Sequence, residues 1–111
     1  MKNIERNKNI NRGYRKLEIW QLSVELFRIV KIKLDSINKI SFKSKAQIED
    51  SALSVSSNIA EGYSRRSLKE NIQYNNIALA SLAENYSQIY NLFNSDVIDT
   101  EWFDKYDNFH Y

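Results

Sequence analysis

The side chains best suited to chemistry in this 111-residue chain crowd into one stretch, SVSSNIAEGYSRRSLKE, from Ser54 to Glu70. Five serines, Glu61, one of the two glycines of the chain and the cations Arg65, Arg66 and Lys69 lie within it. A serine nucleophile requires a general base beside it, yet the single histidine is His110, next to the last residue, and no G-x-S-x-G elbow is present. A phosphate cradle of the Walker type requires G-x-x-x-x-G-K-[ST] after a strand, whereas AEGYSRRS offers one glycine and no preceding strand pattern. Metal sites of helical bundles draw on Glu-x-x-His pairs from two helices, which one histidine cannot supply. Glu61 and Glu84 are the carboxylates that helical spacing can turn inward, without an acid–base partner to give them a task. No cofactor is indicated, and the expectation is a protein that is not an enzyme.

The cations carry a different chemistry. Arg65, Arg66 and Lys69 bracket a predicted helix start, where unpaired backbone N–H groups and the positive end of the helix dipole also favour an anion such as phosphate. The alternative is ion pairing across the corner, with Arg65 or Arg66 taken by Glu61 or Glu70. Further upstream, Arg28, Lys31 and Lys33, with Arg15 and Lys16 before them, are placed to form a basic ridge. Tyr14, Tyr63 and Tyr74 are candidates for base stacking, or else for the core. Net charge is +2, but residues 1–45 hold twelve Lys/Arg against four acids, and the last seventeen hold one against five. A basic front is compatible with nucleic acid, and an acidic tail opposes it unless the two face different ways.

Helices must position these groups. Proline is absent and the two glycines are Gly13 and Gly62, a pattern of long helices joined by short corners. After Gly13, apolar residues recur at Leu17, Trp20, Val24, Phe27, Val30, Leu34 and Ile37, with a second stripe at Ile19, Leu22, Leu26 and Ile29. That apolar surface is wider than one small core requires, which predicts self-association. Ser44 and Gln47 match a capping box, so the second helix is expected from about Lys45 to Glu61, with Gly62 as its left-handed cap. Ser67 and Glu70 form the next box. The third helix then runs through Leu68, Ile72, Leu79, Leu82, Tyr86, Ile89 and Phe93 to about Asn94-Ser95. Asp99 caps a short fourth helix with Trp102, Tyr106 and Phe109 on one face. The fold class is all-α, an antiparallel up-down four-helix bundle with a short fourth helix, in which residues 1–13 form a basic arm and 14–111 one domain.

The chain has no cysteine for disulfide or thiolate chemistry. It has no run near the roughly 18 apolar residues of a membrane span, and its first residues lack the apolar core of a secretion signal. A cytoplasmic location and no membrane partner are expected.

Three segments, YRKLEIWQ (Tyr14–Gln21), QIEDSALSVSSNIAEGYSRRS (Gln47–Ser67) and KENIQYNNIALASLAE (Lys69–Glu84), resemble the small bacterial four-helix bundle proteins encoded in intervening sequences of 23S ribosomal RNA genes. The resemblance spans about residues 14–98, and the N-I-A-E-G run at Asn58–Gly62 is its most specific element. It implies a ring-like homopentamer. It also implies similarity to the accessory variability proteins of diversity-generating retroelements, which are basic, bind nucleic acid and partner a reverse transcriptase. It implies no catalysis. Asn58, Glu61, Gly62 and Arg65 take the signature positions, and Ser67 and Glu70 keep the following cap. Two departures stand out: Glu49-Asp50 replace a basic pair, and no proline occurs near Ser56. The expected partners are a second copy of the chain, RNA or DNA, and a protein partner. Two functional classes follow: a nucleic-acid-binding oligomer, or a structural or protein-interaction oligomer without affinity for nucleic acid.

Overall fold

In the computed structural model, residues 13–109 are described, and among them every regular element is helical. A 3-10 turn over Gly13–Lys16 leads into α1 (Glu18–Asp35), followed by α2 (Phe42–Tyr63), α3 (Leu68–Asn94) and α4 (Thr100–Phe109). Residues 1–12 of the expected arm and His110 lie outside the described residues. No described helix is long and apolar enough to cross a membrane.

The helix starts follow local side-chain chemistry, with one shift from expectation. α2 begins three residues before Lys45 because Ser41, in an extended conformation, accepts a hydrogen bond from the Ser44 backbone N–H at 3.1 Å. Ser44 is therefore inside the helix, and the Ser44–Gln47 capping box does not form. At α3, Ser67 accepts from the Glu70 N–H at 3.4 Å, a long cap. At α4, Asp99 accepts from the Trp102 N–H at 2.7 Å. α1 starts later than the stripe suggests, since Leu17 is extended and leaves Gly13–Lys16 as a separate turn. The Gln21 side chain donates to the Arg15 carbonyl at 2.8 Å and holds that turn against α1.

Gly62 also departs from expectation. It has no positive φ; it lies within α2, and Ser64 caps the helix. The one left-handed residue is Asp96 (φ 62°), in the turn between α3 and α4, where a short polar side chain tolerates that conformation. The turn closes with Val97 N–H donating to the Leu92 carbonyl at 2.9 Å.

Successive helices run antiparallel. Lys45 meets Asp35 and Glu49 meets Lys31 across α1 and α2. Ser54 bonds Ser81 and Ser51 bonds Gln88 across α2 and α3. Tyr86 donates to Asp107, and Phe93 stacks on Phe103, across α3 and α4. α4 lies over both α1 and α3, since Lys33 of α1 sits 5.9 Å above the Trp102 ring.

The main core gathers Leu26, Val30 and Leu34 of α1, Ile48 and Ala52 of α2, Ile89 of α3, Ile98, and Phe103 and Tyr106 of α4. A smaller cluster of Val55, Ile59 and Ala78, backed by Leu17, Trp20 and Leu82, serves the other end. Asn85, fully buried, ties the main core together. Its Nδ2 donates to the Ile48 carbonyl (3.2 Å) and to Ser51 Oγ (3.1 Å), and its Oδ1 accepts from the Tyr106 hydroxyl (2.7 Å). One amide thereby joins α2, α3 and α4 with its buried polar atoms satisfied. Burial pushes the Tyr106 hydroxyl far above its ordinary pKa, so it stays a donor.

Candidate functional site

The Ser54–Glu70 stretch forms the last three turns of α2, the corner, and the cap and first turn of α3. Its geometry rests on Gly62. A Cβ there would sit 2.8 Å from Tyr74 Cβ and 3.3 Å from the Asn71 carbonyl oxygen, both on α3. Glycine is needed for close helix contact rather than for a left-handed turn. Asn71 uses the space to donate to the Gly62 carbonyl at 2.8 Å, which stitches the corner shut.

The polar face of α2 is spent on packing. Asn58 donates to the Ser54 carbonyl and hydroxyl, at 2.8 and 2.9 Å, and Ser54 bonds Ser81 at 2.8 Å. Glu61 faces solvent and pairs with Arg65; Glu84 is also exposed, so the two carboxylates do not meet inside the bundle. Arg65 further lies 5.2 Å over the Tyr74 ring and donates to its hydroxyl at 3.1 Å. That triad raises the Arg65 pKa, through Tyr74 and then Glu61. Of the tyrosines considered for stacking, Tyr74 lies beneath Arg65, Tyr14 sets its edge on Trp20, and Tyr63 packs against Gly13.

The cations separate into two groups. Along α1, Arg28 is held by both Glu25 oxygens at 2.9 Å, and Lys31 bonds Asp35 at 3.1 Å and approaches Glu49 at 3.4 Å. These carboxylates raise the pKa of both cations. The basic ridge expected on α1 is thus largely self-neutralised, because acids stand one helical turn away or across on α2. Glu49, one of the two acids that replace the family's basic pair, is the α2 partner in that pairing. At the corner, Arg66 and Lys69 are exposed and have no carboxylate within ion-pair distance among the described residues; Lys16 has none either. Gly13 touches Tyr63, two residues before Arg65, so the 3-10 turn carrying Arg15 and Lys16 stands at this same end of the bundle. The structure brings together Lys16, Arg66 and Lys69 with Arg15 and Arg65, and leaves Arg28 and Lys31 on the flank of α1.

A second feature lies beside the corner. Between the N-terminal halves of α1 and α3, above Val55 and Ile59 of α2, runs an open apolar trough of about 510 Å³. Leu17, Ile19 and Leu22 form one wall, Ala78, Leu79 and Leu82 the other, and Phe109 of α4 stands at one end. Its polar lining is Ser23, Asn71 and Asn75, with no charged side chain.

Compared with known families, residues 15–110 match the family model described as 23S rRNA-intervening sequence protein. The chain belongs to the 23S rRNA-intervening sequence protein family. No curated protein and no solved structure matches it. Within this family member the signature residues have physical tasks that the structure displays. Gly62 permits the α2–α3 approach, Asn58 ties into the serine ladder, Glu61 pairs with Arg65, and Ser67 caps α3. Without proline near Ser56, α2 continues unbroken, and the buried Ser56 hydroxyl bonds the Leu53 carbonyl at 3.3 Å. Sequence reasoning did not pick out Asn71, Tyr74 or Asn85, and the trough was foreshadowed only by the second apolar stripe on α1. Asn71 and Tyr74 do share a face one turn apart, the signal that they serve one contact.

Proposed function

We propose that this family member is a non-enzymatic homo-oligomer that binds nucleic acid through phosphate contacts, without base specificity. The observation that carries the reading is the gathering of Lys16, Arg66 and Lys69 at one end of the bundle, without carboxylate partners among the described residues. Lys2, Arg6, Lys8 and Arg12 precede Gly13 in the sequence and add to the positive charge that enters there. The acidic residues of α4 and its approach begin at the opposite end of α3, away from the corner. Each copy offers few phosphate contacts. Repetition around an assembly, a ring of five on the resemblance, multiplies them by avidity. Nothing at the corner reads base edges, since its aromatic residues are engaged within the chain.

The test is titration of a structured RNA hairpin and a DNA duplex at low and moderate salt. The expected result is binding to both that weakens steeply with salt. Arg66→Ala with Lys69→Ala should weaken both to a similar degree and flatten the salt dependence by roughly 0.9 in log–log slope per phosphate contact removed. Unchanged binding by the folded double variant would remove the corner from the site. The second reading, an oligomer that engages only protein, is favoured by the uncharged apolar trough. Absence of binding to either nucleic acid at low salt would decide for it.

A further inference from the structure

We infer that the open half of the trough is closed by a helical face of a second copy of this chain. The inference rests on the homo-oligomer reading above and assigns its contact surface.

α1 and α3 frame a single trough along their length. Its far half is filled by α4, which lies across Lys33 of α1 and Tyr86 of α3 and ends its described course with Phe109 in the trough. α4 has 10 residues and α3 has 27; at 1.5 Å per residue these span about 15 and 40 Å. The uncovered stretch of α3, Leu68 to Leu82, is about 21 Å long. The near half is therefore the continuation of a seat that already holds an amphipathic helix. Its rims are left in water, with Leu22 47% and Leu79 63% exposed.

The lining identifies the kind of occupant. With no charged group in the lining, the trough offers phosphates nothing, so nucleic acid does not belong in it. What fits is a helix with one uncharged apolar face at least three turns long. The chain carries such a face. Leu68, Ile72, Leu79, Ala83 and Tyr90 fall on one flank of α3 by helical spacing, and all five are exposed. This ridge spans about 33 Å, longer than the opening it would fill. Ridge and trough share Leu79 but are otherwise different surfaces, so ridge-into-trough contact is head to tail and can close into a ring.

The experiment measures subunit number by light scattering on the full chain, with circular dichroism to confirm folding. Leu22→Asp alters only the trough and Ile72→Asp only the ridge; both side chains are about half exposed, which leaves the monomer fold intact. Each variant should lose assembly, with a self-association Kd raised roughly 100-fold by placing a charge in an apolar contact. Ile32→Asp, on an exposed α1 position outside both surfaces, should assemble as the parent does. Mixing the two disabled variants should restore two-copy complexes, since one retains the ridge and the other the trough. Assembly unaffected by Leu22→Asp, or a mixture that stays monomeric, would overturn the assignment while leaving the oligomer reading in place. A parent chain that is monomeric at all concentrations would instead overturn the oligomer reading itself.

Discussion

The two halves of the trough between α1 and α3 differ in a single respect, the presence of α4, and nearly everything else about them follows from that. Where α4 lies, Leu34, Ile89 and Tyr106 are fully buried, the rings of Tyr86, Tyr90, Phe93 and Phe103 pack around the contact, and Asn85 bridges three helices. Where α4 does not reach, the same two helices expose Ile19, Leu22 and Leu79. The helix faces are equally apolar in both halves. An apolar stripe states only that a residue needs covering; which element covers it is a matter of reach and register.

The largest expected contrast comes from removing one leucine from each half. Leu34→Ala leaves a cavity in the closed half and should cost about 2–5 kcal/mol in chemical denaturation. Leu79→Ala should change the stability of the isolated protomer by less than about 0.5 kcal/mol, because its side chain is mostly in water already. Equal losses at the two positions, measured under monomeric conditions, would break the comparison.

A smaller change sharpens it. Tyr106→Phe keeps the ring and removes the hydroxyl that donates to Asn85, leaving a buried amide oxygen without its partner. The expected loss is about 1–3 kcal/mol. Removing a hydroxyl at the open end, Tyr63→Phe, should leave stability nearly unchanged, since Tyr63 is exposed there. If the two variants unfold alike, the Asn85 junction is not what fastens α4.

The smallest expected effect is electrostatic. Asp35 is held below the usual carboxylate range by hydrogen bonds from Lys45 and then Lys31, and Glu25 is lowered by its hydrogen bond from Arg28. A lowered folded-state pKa means that the unfolded chain binds the proton first. The stabilisation is thus complete above the ordinary carboxylate range and lost as pH falls through the lower folded value. Thermal midpoints should therefore decline as pH drops below about 4. Asp35→Asn should make that decline shallower, while a double variant at Arg65 and Glu61 shifts the midpoint little because that pair is in solvent.

Much of the fold was legible in the sequence. The four helices, the Ser67 and Asp99 caps and the polar corner all come from short-range chemistry: a hydroxyl or carboxylate before an apolar periodic run, and spacings of three and four. Ser41 was missed as the α2 cap because Ser44-x-x-Gln47 is the stronger-looking pattern, while either serine satisfies the local rule. Gly62 was read for its φ when the structure uses its missing Cβ, a difference that depends on Tyr74, twelve residues away. The cations of the site were all identified from sequence. Which of them remain available was not, because Glu25 and Asp35 neutralise through helix spacing but Glu49 does so only through the α1–α2 register.

The sequence by itself determined that this chain is helical, where its helices turn, that it lacks the groups for serine, metal or phosphate-loop chemistry, and that its positive charge is concentrated toward its front. These are properties of composition and of contacts within a few residues, which the chain carries into any fold. Only the tertiary structure decided which cations stand unpaired together at the α2–α3 corner, that Asn85 finds Ile48, Ser51 and Tyr106, and that one half of the trough is left open. Those outcomes depend on how helices distant in sequence are placed side by side, and helical periodicity sets which face is apolar without setting what that face will meet.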